Sequence, residues 1–176
     1  MPEKILVLLG TKKGVFIAES DAARDKWQLR GPYCETWPIH HAIGDAASGT
    51  IYAGGGNEWF GPAVWKSTDL GRTWTHSSAG LAYEAGAEPI SAVWSIAPRN
   101  GHLYAGVQPA GLFRSEDRGE TWSPLAEDAA LIEPVCQAST LRLTVKAGTE
   151  RSGVLFVNPA SVKRENLTVR LSNDGC

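Results

Sequence analysis

The octapeptide STDLGRTW, Ser67 to Trp74, returns 48 residues later as SEDRGETW, Ser115 to Trp122. Both read Ser-x-Asp-x-Gly-x-Thr-Trp, and self-similarity at this period requires a chain built from stacked copies of one supersecondary unit. Alignment on the tryptophan finds an eroded copy in which Trp27 stands 47 residues before Trp74, Ser20 keeps the serine position, and Ala22 and Arg24 replace the Asp and Gly. A further copy opens in LSNDGC, where Ser172 and Asp174 hold their places and Cys176 stands at the glycine position.

The flanks repeat as well. A β-branched or aromatic run (KILVLLG, TIYAGGG, HLYAGVQ, GVLFVN) is followed by a second short run (GVFIAES, AVWKS, GLFRS, LTVRLS), then the box, then a segment carrying the tryptophan. Three copies add a strand in front, over 39–44, 91–97 and 135–144. Gly and Pro separate these runs and none has helical period, so each unit reads as up to four short antiparallel strands, here a, b, c and d. Such units at this spacing are the signature of β-propeller blades. The fold expected is all-β, an incomplete propeller of about four partial blades, spanning approximately 1–32, 38–78, 90–126 and 133–176 of one domain.

The box has an explanation that needs no ligand. Asp69 and Asp117 can accept backbone N–H bonds inside the c-to-d turn, with Ser67 and Ser115 adding hydroxyl bonds. Gly71 and Gly119 supply a positive φ, and Trp74 and Trp122 bury apolar surface against a neighbouring strand. The box residues are therefore read as structural.

Bulk properties exclude several classes. The 176 residues are enough for one domain with a core, and 43% apolar with 20% charged residues is a globular composition. With a net charge of -2 and no basic cluster beyond the pairs Lys12-Lys13 and Lys163-Arg164, neither nucleic acid nor a membrane surface is expected as a partner. The three cysteines, Cys34, Cys136 and Cys176, lack metal-type spacing, so no zinc site, disulfide framework or cofactor is expected. The first apolar run is only Ile5 to Leu9 and reads as a strand rather than a signal peptide, which gives a cytoplasmic expectation.

The boxes resemble the Asp-box, or BNR, repeat of sialidase-like propellers. The last third, VCQAST at 135–140 and the stretch from Val154 to Cys176, is similar to the blade in which exo-alpha-sialidases carry the third arginine of a carboxylate-binding trio. That resemblance implies Arg164, followed by Asn166 and Leu167, as the residue holding a substrate carboxylate, a task suited to a planar guanidinium. The family's Tyr nucleophile, its Glu and the other two arginines have no counterpart, so no catalytic residue is assigned and the chain resembles a catalytically incomplete relative or a fragment.

In an antiparallel meander the b-to-c and d-to-a connections share one end of the blades and the boxes lie at the other. The working face therefore gathers Lys12, Lys13, Glu58, Trp59, Phe60, Gln108, Pro109, Lys163 and Arg164 with Glu35, Trp37, His40, Glu84, Glu88 and Glu133 from the d-to-a connections. Trp59, beside Glu58 in the Gly-flanked loop GGGNEWFGP, is the candidate for stacking a sugar ring, against the alternative that it packs on a neighbouring blade. His40 and His41 adjoin in a strand and point to opposite faces, so they are read as one rim and one packing residue rather than a metal pair. Glu58 with Glu133 as an acid–base pair has no spacing argument behind it, and the remaining Trp and Tyr residues are read as packing. Because the first unit lacks strand a and the last lacks strand d, the chain is expected to self-associate, to form an open arc, or to be truncated. Two functions follow: recognition of a sialylated glycan or other carbohydrate by a glycoside-hydrolase-related protein, or a non-enzymatic scaffold binding a protein or peptide.

Overall fold

The computed structural model of the chain describes residues 4–125, 138–147 and 149–172, so Glu133, Cys136, Asp174 and Cys176 lie outside the described residues. The chain divides into two compact units, Met1–Leu125 and Ala126–Cys176. The first contains β1 (Lys4–Thr11), β2 (Gly14–Asp21), β3 (Gln28–Tyr33), β4 (Ile39–Asp45), β5 (Thr50–Asn57), β6 (Gly61–Ser67), β7 (Thr75–Ser77), β8 (Ala92–Arg99), β9 (His102–Gln108), β10 (Gly111–Ser115) and β11 (Ser123–Pro124). The second contains β12 (Ser139–Ala147), β13 (Thr149–Pro159) and β14 (Leu167–Ser172). They form four antiparallel meanders, β1-β2-β3, β4-β5-β6-β7, β8-β9-β10-β11 and β12-β13-β14. The fold is thus all-β, with sheets of three and four strands in the manner of incomplete propeller blades.

In the first unit, side-chain alternation lets one sheet serve two cores. Ile51 and Ala53 of β5 and Ala63 and Trp65 of β6 pack with Val15 and Ile17 of β2. Their sequence neighbours Tyr52 and Val64 pack the other way, with Val93 and Ile96 of β8 and Phe113 of β10. Trp65 and Phe113 are fully buried, and each contributes about 2–3 kcal/mol through area removed from water. The glycine run in β5 is a requirement of this stacking. A Cβ on Gly54 would sit 2.7 Å from Cγ1 of Val93, and one on Gly55 would sit 2.1 Å from the carbonyl oxygen of Pro38.

The box turns are self-contained hydrogen-bond clasps. The Ser67 hydroxyl donates to Oδ1 of Asp69 at 2.8 Å and accepts the Gly71 amide at 2.9 Å. Asp69 in turn accepts the amides of Arg72 and Thr73, both at 2.9 Å, and the Thr73 hydroxyl at 2.6 Å. Ser115, Asp117, Gly119, Glu120 and Thr121 reproduce the same set between 2.5 and 3.0 Å. The turn demands left-handed backbone at two successive residues, Leu70 then Gly71 and Arg118 then Gly119. The clasps also join blades. Nη2 of Arg30 donates to the carbonyl of Leu70 at 3.1 Å, the Ser77 hydroxyl donates to the carbonyl of Glu120 at 2.6 Å, and the Lys66 ammonium pairs with the Glu120 carboxylate. The eroded first copy keeps one element, the indole N–H of Trp27 donating to the carbonyl of Arg24 at 3.0 Å as that of Trp74 does to Gly71 at 3.2 Å. Burial of the box tryptophans is uneven: Trp122 is buried, Trp74 half-buried and Trp27 exposed.

The Thr121 hydroxyl and amide, with Ser115 and the Glu120 amide, hold the Asp117 carboxyl down at about 2, and the equivalent bonds from Thr73 depress Asp69. Because folding lowers these pKa values, the stabilisation is complete above the ordinary value near 3.8 and is lost as pH falls toward 2. The variant Asp69→Asn/Asp117→Asn is expected to melt lower than the wild type at pH 7, with the two melting curves converging between pH 4 and 2. A constant difference in melting temperature across that range would show that the carboxylate charge does not carry the clasp.

Candidate functional site

Two clefts open at opposite ends of the strands of the first unit, and their linings sort by type of turn. One, of about 460 Å³, is lined by Asp45, Ala47 and Ser48 of the β4–β5 turn, Asn100 and Gly101 of the β8–β9 turn and Arg118 of the second box. The other, of about 520 Å³, draws on the b-to-c end: Lys12, Asn57, Glu58, Trp59 and Gln108, with Pro38, His40, Ser91, Ala92 and Trp94. Trp59 and Glu58 thus share one cleft with Lys12, His40 and Gln108.

The β5–β6 loop is fixed from within, because Oδ1 of Asn57 accepts the amides of both Trp59 and Phe60, at 3.0 and 2.9 Å. Phe60 turns back and stacks on Trp37, with ring centroids 4.8 Å apart. Trp59 stacks on no ring among the described residues and is 92% exposed. The aromatic pair in this loop therefore splits, one ring anchoring the loop and the other presented to solvent.

Trp94 and His40 are set by two matching irregularities. In β4 the register with β5 slips between Ile39 and His41, leaving His40 as the extra residue. In β8 the register with β9 slips between Val93 and Ser95, leaving Trp94 as the extra residue. A bulge of this kind re-aims one side chain out of the alternation. Both side chains leave the inter-sheet core and meet each other, with the His40 ring stacked on Trp94 at 4.3 Å and an interplanar angle of 28°. The remaining edges are pinned: Nε2–H of His40 donates to the carbonyl of Gly56 at 3.1 Å, and Nε1–H of Trp94 donates to Oε1 of Gln108 at 2.8 Å. His41 points the other way, its Nδ1 accepting the Ile96 amide at 3.0 Å. Trp94 nonetheless remains 52% exposed. Reading the strand tryptophans as packing holds for Trp65 and fails for Trp94, because the bulge turns its ring out of the sheet face.

Among the described residues the lining is balanced in charge, with Lys12 and Glu58 its formally charged members and no arginine. Arg164 stands in the second unit, exposed in the connection between β13 and β14. That connection is folded on itself by the Ala160 amide donating to the Asn166 carbonyl at 3.1 Å and the Lys163 amide donating to the Ser161 hydroxyl at 3.2 Å. Cys34, the described cysteine, is buried, which pushes its thiol up to about 12 and makes it a packing residue. No group of three or more His, Cys, Asp and Glu side chains suited to a metal occurs among the described residues.

No known family model matches the chain. A xyloglucanase from Paenibacillus sp is 27% identical to it over 138 residues, an alignment covering 72% of this chain and 13% of that protein.

Proposed function

We propose that the chain is a glycan-recognising segment of a glycoside-hydrolase-related propeller, with the cleft around Trp59 and Trp94 as its sugar site. The observation that carries this is two exposed indoles in one cleft, that of Trp94 bonded through its N–H to Gln108 and that of Trp59 carried on a loop whose backbone is tied to Asn57, among amide, carboxylate and ammonium groups. Similarity to a xyloglucanase and the Asp-box character of the turns support the same reading. Binding, rather than hydrolysis by this chain alone, is the expected activity. Glycoside cleavage uses a pair of carboxyl groups about 5–9.5 Å apart, and Glu58 is the one carboxylate among the described residues of the lining.

The test is affinity electrophoresis of the chain through gels containing xyloglucan, with a parallel assay for released reducing ends. Retardation without release is expected. Migration unchanged by any polysaccharide would contradict glycan recognition and leave the protein-binding scaffold.

A second reading, recognition of a sialylated glycan, rests on the exposed Arg164 and on the resemblance of its loop to the sialidase arginine blade. Its expected result is binding of 3′-sialyllactose that Arg164→Ala abolishes, and turnover of a fluorogenic sialoside would extend it to an enzyme. Equal binding by Arg164→Ala would remove it.

A further inference from the structure

Resting on the glycan reading, we propose that Trp94, backed by His40 and pinned by Gln108, is a preformed platform for the flat face of a neutral hexopyranose, with Trp59 a second stacking ring in the same cleft. The first support is construction. Trp94 and His40 occupy the equivalent position of the first strand in adjacent four-stranded sheets, and each is the extra residue of a bulge. Val93 and Ile96, three residues apart, reach the same core because the slip between them takes up one residue, and that residue is Trp94. The bulge places the Trp94 ring where half of its surface faces solvent. One face rests on His40 at 4.3 Å and the N–H edge on Gln108 at 2.8 Å, so little rotamer freedom remains to be lost when a ligand binds.

The second support is the close fit that the bulges require. Gly54 admits Val93 and Ile96, and Gly106 lies opposite Ser95, whose Oγ a Cβ there would meet at 2.6 Å. A side chain at Gly54 would press on Val93 and Ile96, the two buried residues that bracket the bulge, and force them to move. The presentation of the ring is therefore built into the neighbouring strands.

The third support is charge. A carboxylated sugar calls for a guanidinium fork, and this lining offers one lysine offset by Glu58 and no arginine. A neutral hexopyranose presents axial C–H groups to an indole face, and its equatorial hydroxyls are matched by the side-chain amides of Asn57 and Gln108 and by the Glu58 carboxylate.

Tryptophan fluorescence titration of the full chain with cellotetraose, and with 3′-sialyllactose as the charged comparison, tests the assignment. Trp94→Ala is expected to weaken cellotetraose binding at least about tenfold. Trp94→Phe is expected to retain it to within about threefold, and Trp27→Ala, at an exposed indole on the box side, to leave it unchanged. Unaltered melting of Trp94→Ala excludes a loss through unfolding. A less than twofold effect of Trp94→Ala would overturn the platform. Tighter binding of 3′-sialyllactose, lost in Arg164→Ala, would overturn the neutral-sugar assignment and leave the glycan reading standing, whereas binding of neither sugar would sink both.

Discussion

Replacing Trp65 with alanine is expected to cost the first unit about 3–5 kcal/mol of unfolding free energy. The ring is 2% exposed and lies where β6 packs on β2, between Trp37 at 5.8 Å and His76 at 4.3 Å. Its removal leaves a hole that Val15 and Ile17, both fully buried on β-strand backbone, cannot collapse into without moving the sheet. The indole N–H is buried without a hydrogen-bond partner among the described residues, so the residue acts chiefly through its volume. Trp65→Phe should therefore cost much less than Trp65→Ala. Urea unfolding followed by circular dichroism checks both, and equal losses in the two variants would show that shape filling is not what Trp65 provides.

Gly80→Ala should also be strongly damaging, at about 2–4 kcal/mol. Gly80 follows β7 with φ +83, and a Cβ there would lie 2.0 Å from the carbonyl oxygen of Trp122. That contact cannot relax cheaply, because the Trp122 amide donates to the Ala79 carbonyl at 2.9 Å and the Trp122 ring is part of the core between the two four-stranded sheets. A methyl group here must break the backbone bond that ties the second box to the preceding sheet. Gly101→Ala is the control, since Gly101 has φ +81 with open space around it and isolates the conformational cost of about 1–2 kcal/mol. Similar losses in the two variants would show that the joint between the sheets contributes nothing beyond backbone strain.

Much of the fold was legible from the repeat. Once the two complete boxes fixed the phase, the flanking runs gave the strands, and the alternation of Tyr52 with Ile51 and Ala53 followed from period two. The clasp chemistry of Ser67 and Asp69 was legible for the same reason: a short polar side chain before a positive-φ glycine has few other uses in a tight turn. For Trp59 the sequence left packing on a neighbouring blade against a sugar platform, and only the assembled loop shows the ring exposed. Trp94 was not legible. AVWSI reads as a packed strand, and its bulge lies against residues distant in sequence, with Gly106 opposite Ser95 and Gly54 admitting Val93. His40 shares that history, with the slip in β4 facing Gly54 and Gly55 in β5. Glycines on a partner strand are the signal that could have located both bulges, but only after the pairing was known. The sequence also directed attention to Arg164, a residue type that announces carboxylate binding, whereas a cleft whose charges balance announces nothing until its walls are assembled.

The proposed sugar site is the cleft holding Trp59 and Trp94. The seven tryptophans give seven indole N–H probes, and a ¹⁵N-labelled sample titrated with cellotetraose reports where the ligand sits. The expected result is concentration-dependent shifts of the Trp59 and Trp94 indole resonances while those of buried Trp65 and Trp122 stay in place. Shifts confined to Trp27 and Trp74 on the box side, or no shift at any indole, would contradict it.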